Sequence, residues 1–201
     1  MTPPSSRLGS NHPYEVAQAL SARYGPDLEL TFSRYQIGPS GDQENRRRTI
    51  FKVRAGEVDE AWIEFESQKL SPDEEIAFHS STRLKGKTLH IPMIDFASDC
   101  SAPLCREYGL QALTCASVPD PGESFVYESG RSFHFYAAVL LEPDRWMSYL
   151  GALLLLDPPD TSPHVDIRWL GHTLRHETPY TSLRWTNHTA RYLRKPGQPG
   201  A

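Results

Sequence analysis

Apolar positions recur along this chain at two periods, one near 3.6 residues and one of 2. Val16, Ala19, Leu20 and Tyr24 follow the first, with Gly25-Pro26 behind them, and predict a helix over 14–24. Leu28, Leu30 and Phe32 follow the second and predict a strand over 28–37, paired as a hairpin with a strand over 49–54 across a polar loop. Trp62, Glu64 and Glu66 alternate with Ile63 and Phe65, which predicts a third strand over 61–66. Ser71-Pro72-Asp73-Glu74 has the chemistry of a helix start, a capping hydroxyl, then proline and acids, and predicts a helix from 71 to about 84. The near-continuous apolar run 87–96 predicts a central strand with a bulge at Pro92. Beyond it the pattern predicts a helix over 102–113 and a hairpin of strands 125–127 and 132–141 around the turn Ser129-Gly130. A helix over 143–156 and strands over 164–170 and 182–186 complete the order.

This order of elements predicts an α+β domain of two layers with a mixed sheet, not a doubly wound one. A chain of 201 residues fits one domain. The expected layout is a loose tail over 1–12, a single domain over 13–195 and a Gly/Pro-rich tail over 196–201. Within the domain an αβ unit spans 13–86 and a second unit 87–195. The start of the chain has no apolar signal region and no stretch approaches the length of a membrane span, so a cytoplasmic protein without membrane contact is expected. Three cysteines fit reduced thiols better than a disulfide framework.

The net charge of −4 argues against coating nucleic acid by bulk charge, but the sign is uneven. Acids dominate 57–75, whereas Arg168, Arg175, Arg184, Arg191, Arg194 and Lys195 outnumber Asp166 and Glu177 from 161 onward. A local basic surface there could meet phosphates. Cys100, Cys105 and Cys115 with His90 do not have the paired spacing of a zinc site. His172 and His176 stand four apart, as metal ligands on a helix do, but the residues around them read as strand and turn.

Three strand-borne polar groups stand out. Asp95 ends an apolar strand, Ser132 and His134 share one face of another, and Asp166 follows Val165 on a third. A carboxylate at the end of an apolar strand is costly unless it binds something. Two of them brought together would offer oxygens to a hard divalent cation, and a nearby histidine and arginine could hold phosphates that share it.

Ile94-Asp95, then Ser129-Gly130-Arg131-Ser132-Phe133-His134, then Val165-Asp166 resemble, in order and spacing, the three motifs of the archaeo-eukaryotic primase superfamily. The chain looks most like its short bacterial primase-like members, and the likeness covers roughly residues 88–195. It implies an RNA-recognition-like sheet carrying the metal-binding acids, with an αβ unit beside it. It further implies Asp95 and Asp166 as ligands of Mg2+ or Mn2+, and Arg131, Ser132 and His134 as contacts to a nucleoside triphosphate. Asp95, Asp166 and His134 would be the catalytic set. Arg168, Arg184, Arg191 and the basic tail would meet nucleic-acid backbone. The activity implied is nucleotidyl transfer of the primase or polymerase type, in replication or repair.

One departure bears on that activity. The family has a second acid two residues after the first, and here that position is Ala97. Asp99 is the nearest substitute, and along a strand four residues span about 13 Å, too far to share one ion directly. The other reading is therefore a non-catalytic nucleotide- or nucleic-acid-binding protein acting with a larger, unknown protein partner.

Overall fold

The computed structural model describes residues 12–37, 48–97, 100–130, 132–157, 162–175, 177 and 179–190. Helix α1 (Tyr14–Tyr24) leads into the hairpin of β1 (Glu29–Gln36) and β2 (Arg48–Arg54). After a single 3-10 turn at Ala55–Glu57 come α2 (Glu60–Ser67), β3 (Glu74–Leu84), β4 (Lys87–His90) and β5 (Met93–Asp95). Then follow α3 (Ala102–Cys115), β6 (Ser124–Glu128), β7 (Phe133–Ala137), α4 (Pro143–Leu155), α5 (Ile167–Leu174) and β8 (Ser182–Arg184). Mixed α+β architecture is thus observed. Every strand pairing among the described residues is antiparallel, in place of the mixed sheet expected.

The strands form two sheets. The larger runs β2-β1-β3-β4, and the long edge of β3 also takes β8, so β4 and β8 share that edge one after the other. The smaller runs β5-β7-β6. The apolar run 87–96 is therefore not one strand. It breaks at Ile91-Pro92, where the chain leaves the first sheet for the second, and proline's missing donor suits a residue between ladders. The expected boundary between the two units, at 86–87, falls at the turn of the β3–β4 hairpin, where Lys85 and Gly86 both take positive φ.

Three further elements differ from expectation. Residues 61–66 are helix, because Asp59 caps it by accepting the Trp62 backbone N–H. Its inward positions are Ile63 and Glu66, and Glu66 turns inward to meet Arg34 at 2.7 Å and Lys69 at 2.5 Å. Residues 74–84 are strand, although the acids before them suit a helix start. Glu74 does reach back to the Ser71 N–H, but it closes a turn, after which residues buried on both faces pair with β1. Residues 164–170 are not a strand. Val165 makes one antiparallel bridge to Phe96, and Asp166 then caps α5, which also carries His172. His176 lies outside the described residues.

Two apolar cores result. One joins α1, α2 and one face of the large sheet around Phe32, Phe78 and Trp185, and extends to Met93, Tyr127 and Tyr136 of the small sheet. The other joins the opposite face of the small sheet, through Ile94 and Phe135, to α3, α4, Phe96 and Val165. In β5 and β7 the residues that share a face with Met93 and Tyr136 are Asp95 and His134. The small sheet thus turns an apolar patch and, at its end, a polar pair toward the large one. Among the described residues no helix is long and apolar enough to cross a membrane.

Candidate nucleotide site

The site is built at the end of the small sheet. Asp95 and His134 are register partners on β5 and β7, and His134 Nε2 lies 3.5 Å from Asp95 Oδ1. His134 is only 4 % exposed, whereas the Asp95 carboxylate is partly open. The turn before β7 needs a left-handed residue, which Gly130 supplies at φ 111°.

The third motif comes alongside through backbone alone. Asp166 N–H donates to the Asp95 carbonyl at 2.8 Å, and Ala97 N–H donates to the His164 carbonyl at 2.7 Å. These two bonds flank the Phe96–Val165 bridge, whose side chains are buried. Asp95 and Asp166 are therefore directly opposed residues on neighbouring backbones, an arrangement that puts Cβ atoms at about 5 Å in regular ladders. The Asp166 cap uses Oδ1 for the Arg168 and Trp169 N–H groups at 2.9 and 3.1 Å, which leaves Oδ2 for another partner.

The electrostatics follow from burial. Desolvation, helped by the Arg184 charge, pushes the His134 imidazole down to about 3, so the ring is neutral at ordinary pH. Its Nδ1 is buried and meets no hydrogen-bond partner among the described residues. A buried nitrogen left this way is costly, and it suits a group that completes its bonding only with a ligand. Burial also pushes the Tyr136 hydroxyl well up, with Asp95 adding to the shift, and that oxygen accepts the Trp185 indole N–H at 3.2 Å.

The remaining expected contacts divide. Ser132 donates its hydroxyl to the Ala97 carbonyl at 2.6 Å, tying the second motif to the first, and its oxygen keeps acceptor capacity only. Arg184 is buried, and its guanidinium holds the carbonyls of Thr186 and Ser129. It shapes the turn of the second motif from beneath rather than presenting a charge to nucleic acid. Arg168 is exposed on α5. Arg131, Arg191 and Asp99 lie outside the described residues.

Two supporting residues, Asp157 and Tyr108, carried no signal in the sequence. Asp157 accepts the Tyr108 hydroxyl at 2.6 Å and the His164 ring Nδ1 at 2.8 Å, and so braces the segment that delivers Asp166. Burial by itself would raise the Asp157 carboxyl, but the Tyr108 and His164 donors outweigh it and hold the group below the ordinary range.

Among the described residues no group of three or more His, Cys, Asp and Glu side chains is placed to hold a metal ion. Two opposed carboxylates remain. That donor set suits one hard divalent ion completed by phosphate and water oxygens, which is how magnesium is usually held. It does not suit an all-protein cage.

A family model described as AEP-like, archaeo-eukaryotic primase 1D-like, matches residues 54–197. No curated protein and no solved structure matches the chain. The matched span covers well over half of the chain and includes all three motifs, from Asp95 through Asp166. This chain is a member of the AEP-like family of archaeo-eukaryotic primase-like proteins.

Proposed function

We propose that this primase-like domain binds a nucleoside triphosphate together with one divalent ion at the end of the small sheet, which would be its RNA-recognition-like half. The observation that carries the reading is the convergence of Asp95, His134 and Asp166 from three separate segments through backbone pairing. Asp95 and Asp166 would hold Mg2+ or Mn2+, whose chemistry is to neutralise and orient the phosphates. His134, and Arg131 from the turn, would meet phosphate oxygens, while Ser132 holds the first and second motifs in register. Arg168 and Arg191 would lie toward nucleic acid.

The protonation state of His134 gives this binding a direction. A carboxylate 3.5 Å from Nε2 favours the proton there, which leaves Nδ1 as an acceptor. Phosphate offers no proton at neutral pH, so engaging Nδ1 requires ring protonation, and the incoming negative charge supplies the reason for it.

Nucleotidyl transfer that uses two ions needs more carboxylates than Asp95 and Asp166 supply. A non-catalytic nucleotide-binding role beside a partner protein is the second reading, and Ala97 is the observation that favours it. Calorimetry of a nucleoside triphosphate with and without Mg2+ tests both. Binding is expected only with the ion. His134→Ala should weaken it about ten- to a hundredfold, the range of a hydrogen bond to a charged group. Metal-independent binding, or a folded His134→Ala protein with parental affinity, would remove the site. Primer extension by the parent then separates enzyme from binder.

A further inference from the structure

A helix at the surface of a folded domain is ordinarily polar on its outer side, and α4 is not. Its inner side packs Trp146, Tyr149, Leu150 and Leu153 into the core beneath the small sheet. Its outer side carries Met147, Ser148, Gly151, Leu154 and Leu155, at the spacing of one helix face. Met147 is 41 % exposed, Leu154 48 % and Leu155 84 %. Between Trp146 and Leu156 the sequence has no charged residue. The hydroxyl on that face, Ser148 Oγ, donates to the Asp144 carbonyl at 3.1 Å and so is satisfied within the helix. Neighbouring helices differ: α3 turns Arg106, Glu107 and Gln111 outward, and α2 turns Glu60 and Glu64.

Gly151 marks the middle of this stretch. A Cβ there would meet no atom within 4 Å among the described residues. A glycine facing open space inside a helix lowers the helix's stability and gives the monomer no packing in return. It does let a second helix come close, because the side chains at a crossing set the distance between axes. Tyr108 of α3 donates to Asp157, just past α4, at 2.6 Å. Leu104, one turn before Tyr108 and also exposed, therefore extends the apolar surface at that end. Leu104, Met147, Leu154 and Leu155 together offer about 350 Å2, within the range of the largest patches on monomers, which are often functional.

We propose that this face is an isologous dimer interface, occupied by α4 of a second copy of this chain that runs antiparallel across Gly151. A twofold axis at Gly151 sets Met147 of one copy level with Leu155 of the other, and Ser148 level with Leu154, so the apolar stretch meets itself along its whole length. Asp144 and Arg145, the charged residues of α4, both stand in its first turn. Antiparallel pairing carries them to the two ends of the contact, where an interface has its polar rim. Two such faces with their rims bury on the order of 1,000 Å2 in all, the lower end of specific interfaces, which makes the dimer weak and reversible. α4 lies on the Ile94–Phe135 side of the small sheet, whereas Asp95 and His134 lie on the other. Pairing therefore covers neither nucleotide site, and it is independent of what that site binds.

The test is sedimentation velocity of the parent, Leu155→Glu and Gly151→Ala proteins over protein concentrations from about 5 to about 300 μM. The parent should pass from monomer to dimer with a Kd on the order of tens of micromolar. Leu155→Glu should weaken the dimer at least about thirtyfold, the effect of a central anchor residue. Gly151→Ala should melt higher than the parent at the lowest concentration, because alanine is the better helix former and has room there. The same variant should dimerise about tenfold more weakly, because its two Cβ atoms meet at the crossing. A parent that stays monomeric over the whole range would overturn the proposal and leave the face to a different partner. Growth beyond the dimer would also overturn it, since an isologous pair closes on itself. Leu155→Glu dimerising like the parent would place the contact elsewhere on the molecule. Gly151→Ala dimerising like the parent would rule out the close crossing at Gly151.

Discussion

Acid should unfold this protein early, through three histidines. His79, His90 and His134 are buried, at 1, 6 and 4 % exposure, and burial pushes them from 6.5 down to about 3, 4 and 3. Each stays neutral in the folded chain well below the pH at which the unfolded chain protonates it. Stability is therefore full above 6.5 and falls with pH below it, because the unfolded state binds more protons. One histidine costs about 1.4 kcal/mol per pH unit in that window, so three give a slope near 4. At about pH 5 each has cost about 2 kcal/mol, or about 6 in all, against a typical total stability of 5–15 kcal/mol. Urea unfolding followed by tryptophan fluorescence measures this directly, since Trp146 and Trp185 are fully buried. A control isolates one term. His90→Phe keeps a ring against Trp146, where the rings now stack at 4.1 Å, and removes the titration. It should reduce the acid slope by about a third. A folding free energy that stays constant between about pH 7.5 and 5 would refute the reasoning, because it would mean these rings protonate in place.

Other expectations follow from the same contacts. If His134 gains a proton with the triphosphate, affinity should rise as pH falls, by at most tenfold per unit below the ring's bound pKa. Calorimetry in two buffers of different ionisation enthalpy would read the proton uptake, and its absence would leave His134 neutral in the complex. Ala97→Asp should raise primer extension, most with Mn2+, because positions 95 and 97 share a strand face. An Asp95→Ala protein as active as the parent would show that Asp95 holds no ion. Gly109→Ala should destabilise by about 1–3 kcal/mol in thermal unfolding, since a Cβ there would stand 2.5 Å from the Phe135 ring and push α3 off the small sheet. Glu75→Gln should cost about 2 kcal/mol and speed hydrogen exchange at His188 and Thr189, whose N–H groups the carboxylate accepts at 2.9 Å.

Residue patterns alone reach as far as local structure. Periodicity placed α1, the β1–β2 hairpin, α3, the β6–β7 hairpin and α4, because in each the apolar face, the stop signal and the turn chemistry agree. The first two motifs were legible as short polar interruptions of apolar strands, whereas the third, read as a strand, is a single bridge at Val165 and a helix cap at Asp166. Whatever depends on the neighbour opposite came from packing. Residues 61–66 read as a strand by alternation, but Asp59 caps a helix there whose inward positions are Ile63 and Glu66, the latter met by Arg34. Ser71 to Glu74 read as a helix start until β1 on one side, with β4 and β8 on the other, claimed both edges of the following residues as strand. Arg184 read as a contact to nucleic-acid backbone, but it is buried and its guanidinium holds the carbonyls of Ser129 and Thr186. Local patterns fix which backbone hydrogen bonds a segment can make. Only the neighbour across the sheet fixes which are made, and a charge acquires its role from the counter-charge that packing supplies or withholds.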